Sequence, residues 1–251
     1  MPKTTLYRSL GDLGYRSWKP VKVQFLSEAD YETRVTCCRA ILEKYDNARR
    51  RDNLFFSDEC AFYAQAKSSN ICMWSKVNPH FYEQIDQHPP TAMAWAAMSA
   101  KYIIGPFFIE GSVTADAYIQ LLETQLLPAL NDKRIMISSH LQQDGAPAHT
   151  ALRTRDFLNQ HFADRWVGKY GPTPWPPRSP DLTSCDNALW GILKPNIVTK
   201  KAQTKEELKT VIRQAFADVP APVLRTINDR TFRRLHLCIA KGGLQVDPFD
   251  V

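Results

Sequence analysis

No run of about 18 consecutive apolar residues occurs in the 251-residue chain, so no segment is expected to cross a bilayer as a helix. The opening residues, Met1-Pro2-Lys3-Thr4-Thr5, lack the apolar stretch of a secretory signal. Cysteine is present but unpatterned: Cys37, Cys38, Cys60, Cys72, Cys185 and Cys238 form no CxxC pair and no zinc-ligand spacing. A chain of this length needs no covalent staples, and these six are expected to be reduced thiols of an intracellular protein. Internal repeats and low-complexity tracts are missing, and no Ser/His/Asp or Cys/His arrangement suggests a side-chain nucleophile. What remains is a globular chain, 44% hydrophobic, with enough apolar content for a sizeable core.

Charge is present, and it is unevenly spread. The net charge is +6, but residues 1–52 carry +4, residues 53–150 carry −4 and residues 151–251 carry +6. An acidic middle between basic ends suits a polyanion held by flanking surfaces, although a solvated basic surface gives the same numbers.

Apolar spacing and turn residues predict helices over residues 4–14 and 28–45, joined by a basic, Pro20-containing connector. Arg49-Arg50-Arg51 reads as a basic hinge. Strands are expected over residues 53–58, over 62–66 and 71–75 as a hairpin, and over 91–99 and 102–109. An amphipathic helix over 115–130, a strand over 134–142, a helix over 150–162 and a short strand over 165–167 follow. Five prolines in Gly168–Pro180 break any regular pairing there. Helices over 184–193, 204–217 and 222–240 close the chain. Strands, a crossover helix, another strand and then helices predict an α/β fold.

Three aspartates stand at places suited to holding a carboxylate at the edge of a core. Asp58 ends the apolar run Leu54-Phe55-Phe56-Ser57, Asp144 precedes Gly145-Ala146-Pro147-Ala148-His149, and Asp186 lies at a helix start. Strand alternation puts Asp58 on the side of Leu54 and Phe56 and turns Glu59 the other way, which favours Asp58. Three ionised carboxylates brought together repel one another unless a cation neutralises them. A sparse all-aspartate set suits Mg²⁺, which keeps waters and shares its shell with substrate phosphates. His149 is expected to be a partner at a loop or helix start rather than a ligand.

The chain resembles the mariner-superfamily DDE/D transposases, in the branch whose last acid is Asp. The resemblance rests on Phe56-Ser57-Asp58-Glu59, Ile104-Gly105-Pro106-Phe107-Phe108, Gln143-Asp144-Gly145-Ala146-Pro147-Ala148-His149, Arg165-Trp166-Val167-Gly168, Trp175 through Asp186, and Leu189-Trp190-Gly191. It implies an RNase H-like core with a central mixed sheet flanked by helices and extra C-terminal helices. Residues 1–22 would be a remnant of a helix-turn-helix DNA-binding region and linker, 23–52 a helical linker, and 53–251 the catalytic domain.

By the same resemblance Asp58, Asp144 and Asp186 are the first, second and third catalytic acids and metal ligands. Asp181 belongs to the Ser-Pro-Asp-Leu turn before the last of them, where it would cap. Two Mg²⁺ ions, for which Mn²⁺ can substitute, would support cleavage and strand transfer of double-stranded DNA. A homodimer acting in the nucleus is the implied setting.

Residues 4–16 resemble the last recognition helix of the DNA-binding region, so Arg8 and Arg16 are candidate DNA contacts. Without its supporting helices this segment is not expected to recognise transposon ends by itself. Lys169, Trp175 and Arg178, on the proline-rich loop, are candidates to lie along a DNA backbone or stack on an unpaired base; for Trp175, packing on the core is the equal alternative. Ser184, Asn187 and Ala188 depart from the family's usual proline and aromatics, which predicts a looser helix under Asp186. These departures keep a second reading open, a decayed or domesticated transposase acting as a DNA-binding or interaction protein. Cleavage of an RNA–DNA hybrid on the same fold is a third.

Overall fold

The computed structural model describes residues 3–15, 23–65 and 87–247. Arg16, the connector around Pro20, Cys72 and the expected strand 71–75 lie outside the described residues.

α1 (Lys3–Asp12) leaves Leu6, Tyr7 and Leu10 exposed, and Leu13 just after it is exposed too. α2 (Glu28–Lys44) begins with a capping box, in which the backbone N–H of Ser27 donates to Asp30 at 2.7 Å. The basic triplet expected as a hinge is instead a short helix, α3 (Ala48–Asp52), because the Asn47 side chain caps it through Arg50 N–H.

β1 (Leu54–Tyr63), β2 (Thr91–Met98), β3 (Ile103–Ile109), β4 (His140–Gln142), β5 (Trp166–Gly168) and β6 (Thr173–Pro174) form one sheet in the order β3-β2-β1-β4-β5-β6. β1, β2 and β3 pair antiparallel, whereas β1–β4, β4–β5 and β5–β6 pair parallel, so the sheet is mixed. β1 runs unbroken through residues expected to be two strands, and its end at Tyr63 pairs with Thr91. A bulge between Trp95 and Ala97 faces Gly105, whose φ of +102° and close approach to the Trp95 carbonyl (a Cβ would stand 2.8 Å from it) exclude other residues.

The remaining helices cover both faces. α4 (Ala115–Leu121) continues through a wide π turn at Leu122–Leu126 into α5 (Leu127–Asp132). That turn stands next to Pro128, which cannot donate to the carbonyl four residues back. After it Arg134 takes a left-handed φ of +57° and Ile137 is exposed. The strand expected over 134–142 is therefore only His140–Gln142: its apolar start is a turn, with Ser138 and Ser139 N–H bonded to the Ile135 carbonyl.

α6 (Pro147–Thr150) and α7 (Leu152–Phe162) follow β4; α8 (Trp190–Val198), α9 (Lys205–Ala217) and α10 (Ala221–Ala240) close the chain. Alternation along β1 sorts the core. Leu54, Phe56, Cys60 and Phe62 pack with α2, α8, α9 and α10, while Phe55 packs with Trp95, Tyr118, Leu122 and Phe162 on the other face.

Candidate active site

Register brings the first two acids together. Parallel pairing sets Phe56 against Gln142, and Asp58 and Asp144 each lie two residues further along their chains. Asp186 arrives from a different element. After a 3₁₀ turn at Pro180–Leu182, the Thr183 hydroxyl accepts from Asp186 N–H at 3.1 Å and starts a π turn at Cys185–Leu189 that runs into α8. All three side chains line one cavity of about 520 Å³, together with Glu59, Lys169 and the wall Trp175–Pro180.

The predicted loosening beneath Asp186 takes a specific form. The turn is wider than an α-turn, yet its side chains are tied down. Ser184, fully buried, shares a 2.8 Å bond with the Thr231 hydroxyl; Cys185 Sγ donates to the Phe56 carbonyl at 3.2 Å; Asn187 Nδ2 donates to the Thr183 carbonyl.

The electrostatics divide the acids into two kinds. Burial, followed by the nearby charges of Asp186 and Glu59, pushes Asp58 up to about 8, although Trp190 Nε1 donates to its Oδ2 at 2.8 Å. Asp186 is also raised, by burial and then by the charge of Asp144, against the opposing influence of Asp58, Lys194 and Thr183. For Asp144 burial pulls the same way, but His149 and the Ala146 N–H overcome it and hold the carboxyl below its usual value. Both of those bonds fall on Oδ1, at 2.5 Å from His149 Nδ1 and 3.0 Å from Ala146 N. His149 is itself raised to about 9: burial lowers it, and Asp144 and Glu59 more than compensate.

Asp58 and Asp186 are thus short of positive charge, whereas Asp144 has a cationic partner. The donors are carboxylate oxygens, the hard set that Mg²⁺ and Mn²⁺ take. Among the described residues no three His, Cys, Asp or Glu side chains converge closely enough to ligate one ion, so the acids share a cavity without forming a closed cage.

The rivals fall elsewhere. Asp181 does not cap a helix; it forms a fork with buried Arg34, at 2.7 and 3.0 Å. Glu59 does belong to the opposite face of β1, but it reaches the cavity rim and accepts from His149 Nε2 at 3.2 Å. The web around His149 was the part least evident in the sequence. Its ring lies 4.3 Å from that of Tyr118, whose hydroxyl donates to Gln143, and Gln143 Nε2 donates back to the His149 carbonyl. The His149 spacing from Asp144 was the available signal, whereas the bond from Trp190 to Asp58 spans 132 positions and had none.

Of the candidate DNA contacts, Arg8 is exposed on α1 and Arg16 lies outside the described residues. Lys169 is exposed at the cavity rim. Trp175 is buried, its ring edge-on to Phe56 at 6.2 Å, which is the packing alternative of the two. Arg178, at φ +49°, is ion-paired with Asp30.

Residues 53–209 match the family model "DDE superfamily endonuclease". The transposable element Tc3 transposase of Caenorhabditis elegans is 27% identical over 176 residues, covering 68% of this chain and 51% of the relative. The chain therefore spans about half the length of that curated relative. The catalytic domain of Mos1 mariner transposase superposes with a TM-score of 0.71 at 21% identity, covering 90% of this chain and 100% of that one. The Mos1 mariner paired-end complex with Mn does so with a TM-score of 0.78 at 20% identity, covering 98% and 72%. These structures share the mixed sheet flanked by helices and bear out the expected RNase H-like α/β fold. The likeness to mariner-type transposases extends from local motifs to the whole sheet, and the chain belongs to the DDE superfamily endonucleases.

Proposed function

We propose that this chain is the catalytic part of a DNA transposase, with residues 53–251 as catalytic domain, 23–52 as helical linker and 1–22 as the end of a DNA-binding region. One observation carries the reading: Asp58, Asp144 and Asp186, from three separate elements, line a single cavity in which burial and neighbouring carboxylates raise two of them. These three would hold Mg²⁺, or Mn²⁺ in its place, as two ions, which would supply charge neutralisation and an activated oxygen nucleophile for phosphoryl transfer. The Mn in the Mos1 paired-end complex supports that choice.

The chain's own groups have distinct tasks. His149 occupies Oδ1 of Asp144 and leaves Oδ2 as that carboxylate's unshared oxygen. Trp190 fixes one oxygen of Asp58, and Thr183 fixes the turn that carries Asp186. Lys169 lines the cavity, and its Nζ and the Arg155 guanidinium lie 5.2 and 4.9 Å from the centre of the Tyr170 ring. Cations held against an aromatic ring lose less freedom on meeting a phosphate. A DNA strand would lie across this rim, with Arg178, Arg8 and Arg16 as further contacts. In cleavage, water would form a new P–O bond and displace the 3′-oxygen, leaving a 3′-hydroxyl and a 5′-phosphate; in joining, that 3′-hydroxyl would attack a target phosphodiester and displace the target strand's own 3′-oxygen as a hydroxyl. Double-stranded transposon ends and target DNA are the proposed substrates, a homodimer the proposed assembly and the nucleus the proposed location.

Supercoiled plasmid DNA incubated with the purified chain and Mn²⁺ tests this reading. Wild type is expected to nick it, and Asp144→Ala to lose the activity at least a hundredfold. Equal behaviour of the two overturns it. The departures at Ser184, Asn187 and Ala188 beside Asp186 favour one alternative, a decayed transposase that binds DNA without cutting; DNA retention by wild type with no nicking in Mn²⁺ is its signature.

A further inference from the structure

Arg34, in the middle of α2, is fully buried. Its five N–H donors are all taken. Nε donates to the Gly243 carbonyl at 2.8 Å; Nη1 donates to Ser179 Oγ at 2.5 Å and Asp181 Oδ1 at 3.0 Å; Nη2 donates to Asp181 Oδ2 at 2.7 Å and the Leu244 carbonyl at 3.4 Å. The partners are themselves connected. Asp181 Oδ2 also accepts from Val246 N–H at 2.9 Å, its carbonyl accepts from Arg234 Nε, and Ser179 Oγ donates to the Pro177 carbonyl. One turn earlier on α2, Asp30 pairs with Arg178. The contact with α2 leaves no slack: at Gly243, φ +90°, a Cβ would stand 2.2 Å from the Tyr31 carbonyl oxygen.

The segment held this way is the wall of the acid cavity. Pro177, Arg178, Ser179 and Pro180 line it, and Thr183, two residues after Asp181, starts the turn that aims Asp186. A buried ion pair adds little net stability compared with apolar side chains of the same volume, but it fixes geometry. We propose that Arg34 is a positioning residue for the third acid: from α2 it sets where the Ser179–Thr183 arm, and with it Asp186, stands relative to Asp58 and Asp144. The proposal rests on reading Asp186 as a metal ligand.

Three variants of the whole chain test it: Arg34→Lys, which keeps the charge without the fork; Arg34→Met; and the double variant Arg34→Met/Asp181→Leu, which removes both charges and keeps the volume. Mn²⁺ affinity by titration calorimetry, hydrogen exchange of the Asp186 amide and the melting temperature are measured for each. The double variant is expected to melt within a few degrees of wild type, yet bind Mn²⁺ at least tenfold more weakly and exchange the Asp186 amide at least tenfold faster, with β1–β2 amides unchanged. Arg34→Lys is expected to stay weak. Should Arg34→Met fail to fold, the double variant decides. Wild-type affinity in the double variant overturns the proposal, whatever the exchange shows, because Arg34 is then structural only. A wild type that takes up no Mn²⁺ sinks the functional reading instead, and the exchange of Asp186 then decides whether Arg34 sets its turn.

Discussion

His149 carries a proton at pH 7 because two carboxylates, at 2.5 and 3.2 Å, outweigh its burial. That charge holds Asp144 low, whereas Asp58 is raised by its burial and by Asp186 and Glu59. His149→Gln removes it, and Mn²⁺ affinity measured by calorimetry is expected to fall roughly 10- to 100-fold, as for other groups that orient metal ligands. Asp58 makes the opposite prediction for the metal-free protein. With its carboxyl raised to about 8 from an ordinary 3.8, the folded state keeps a proton that the unfolded state releases, so stability falls as pH rises from about 4 to 8. Asp58→Asn escapes this loss. Its melting temperature is expected to exceed wild type's by a margin that grows across that window and levels off above pH 8. Added Mn²⁺ is expected to raise the melting temperature of wild type and not that of the variant.

The elements divide by how local their causes are. β2, β3 and the helices α9 and α10 follow from alternation, helical spacing and caps written in adjacent residues, and they were legible in the sequence; of β1 only the start was, because its continuation through Tyr63 is set by pairing with β2. The 134–142 segment was not. Its apolar Ile135-Met136-Ile137 looks like a strand, but the left-handed Arg134 and the carbonyls that Arg165 draws from Met136 and Ser139 make it a turn. The same division holds at the site. Asp58 was distinguishable from Glu59 by strand phase, whereas the links Arg34–Asp181 and Trp190–Asp58 join positions more than a hundred residues apart and leave no local trace.

Two caps separate stability from function at this scale. Thr204, which does not line the acid cavity, caps α9 through Glu207 N–H at 3.1 Å, and Thr183 holds Asp186 N–H. Replacing either by Ala is expected to cost about 1 kcal/mol in denaturant unfolding. Only Thr183→Ala is expected to weaken Mn²⁺ binding as well.

For the molecule as a whole, the net charge is +6, and DNA binding is expected to weaken steeply with salt. Lys169→Ala and Arg155→Ala are each expected to lower the slope of log affinity against log salt by about 1, with little dependence on DNA sequence. Unchanged slopes would remove the Tyr170 rim from the DNA path. The account depends most on the three aspartates acting as one cation site. Calorimetric titration of Mn²⁺ into wild type and into Asp58→Asn, Asp144→Asn and Asp186→Asn at pH 8 measures this directly. Wild type is predicted to bind at or below millimolar Mn²⁺, and each variant at least tenfold more weakly. Folded wild type that takes up no Mn²⁺ at millimolar concentration, or three variants that bind like wild type, would contradict the account.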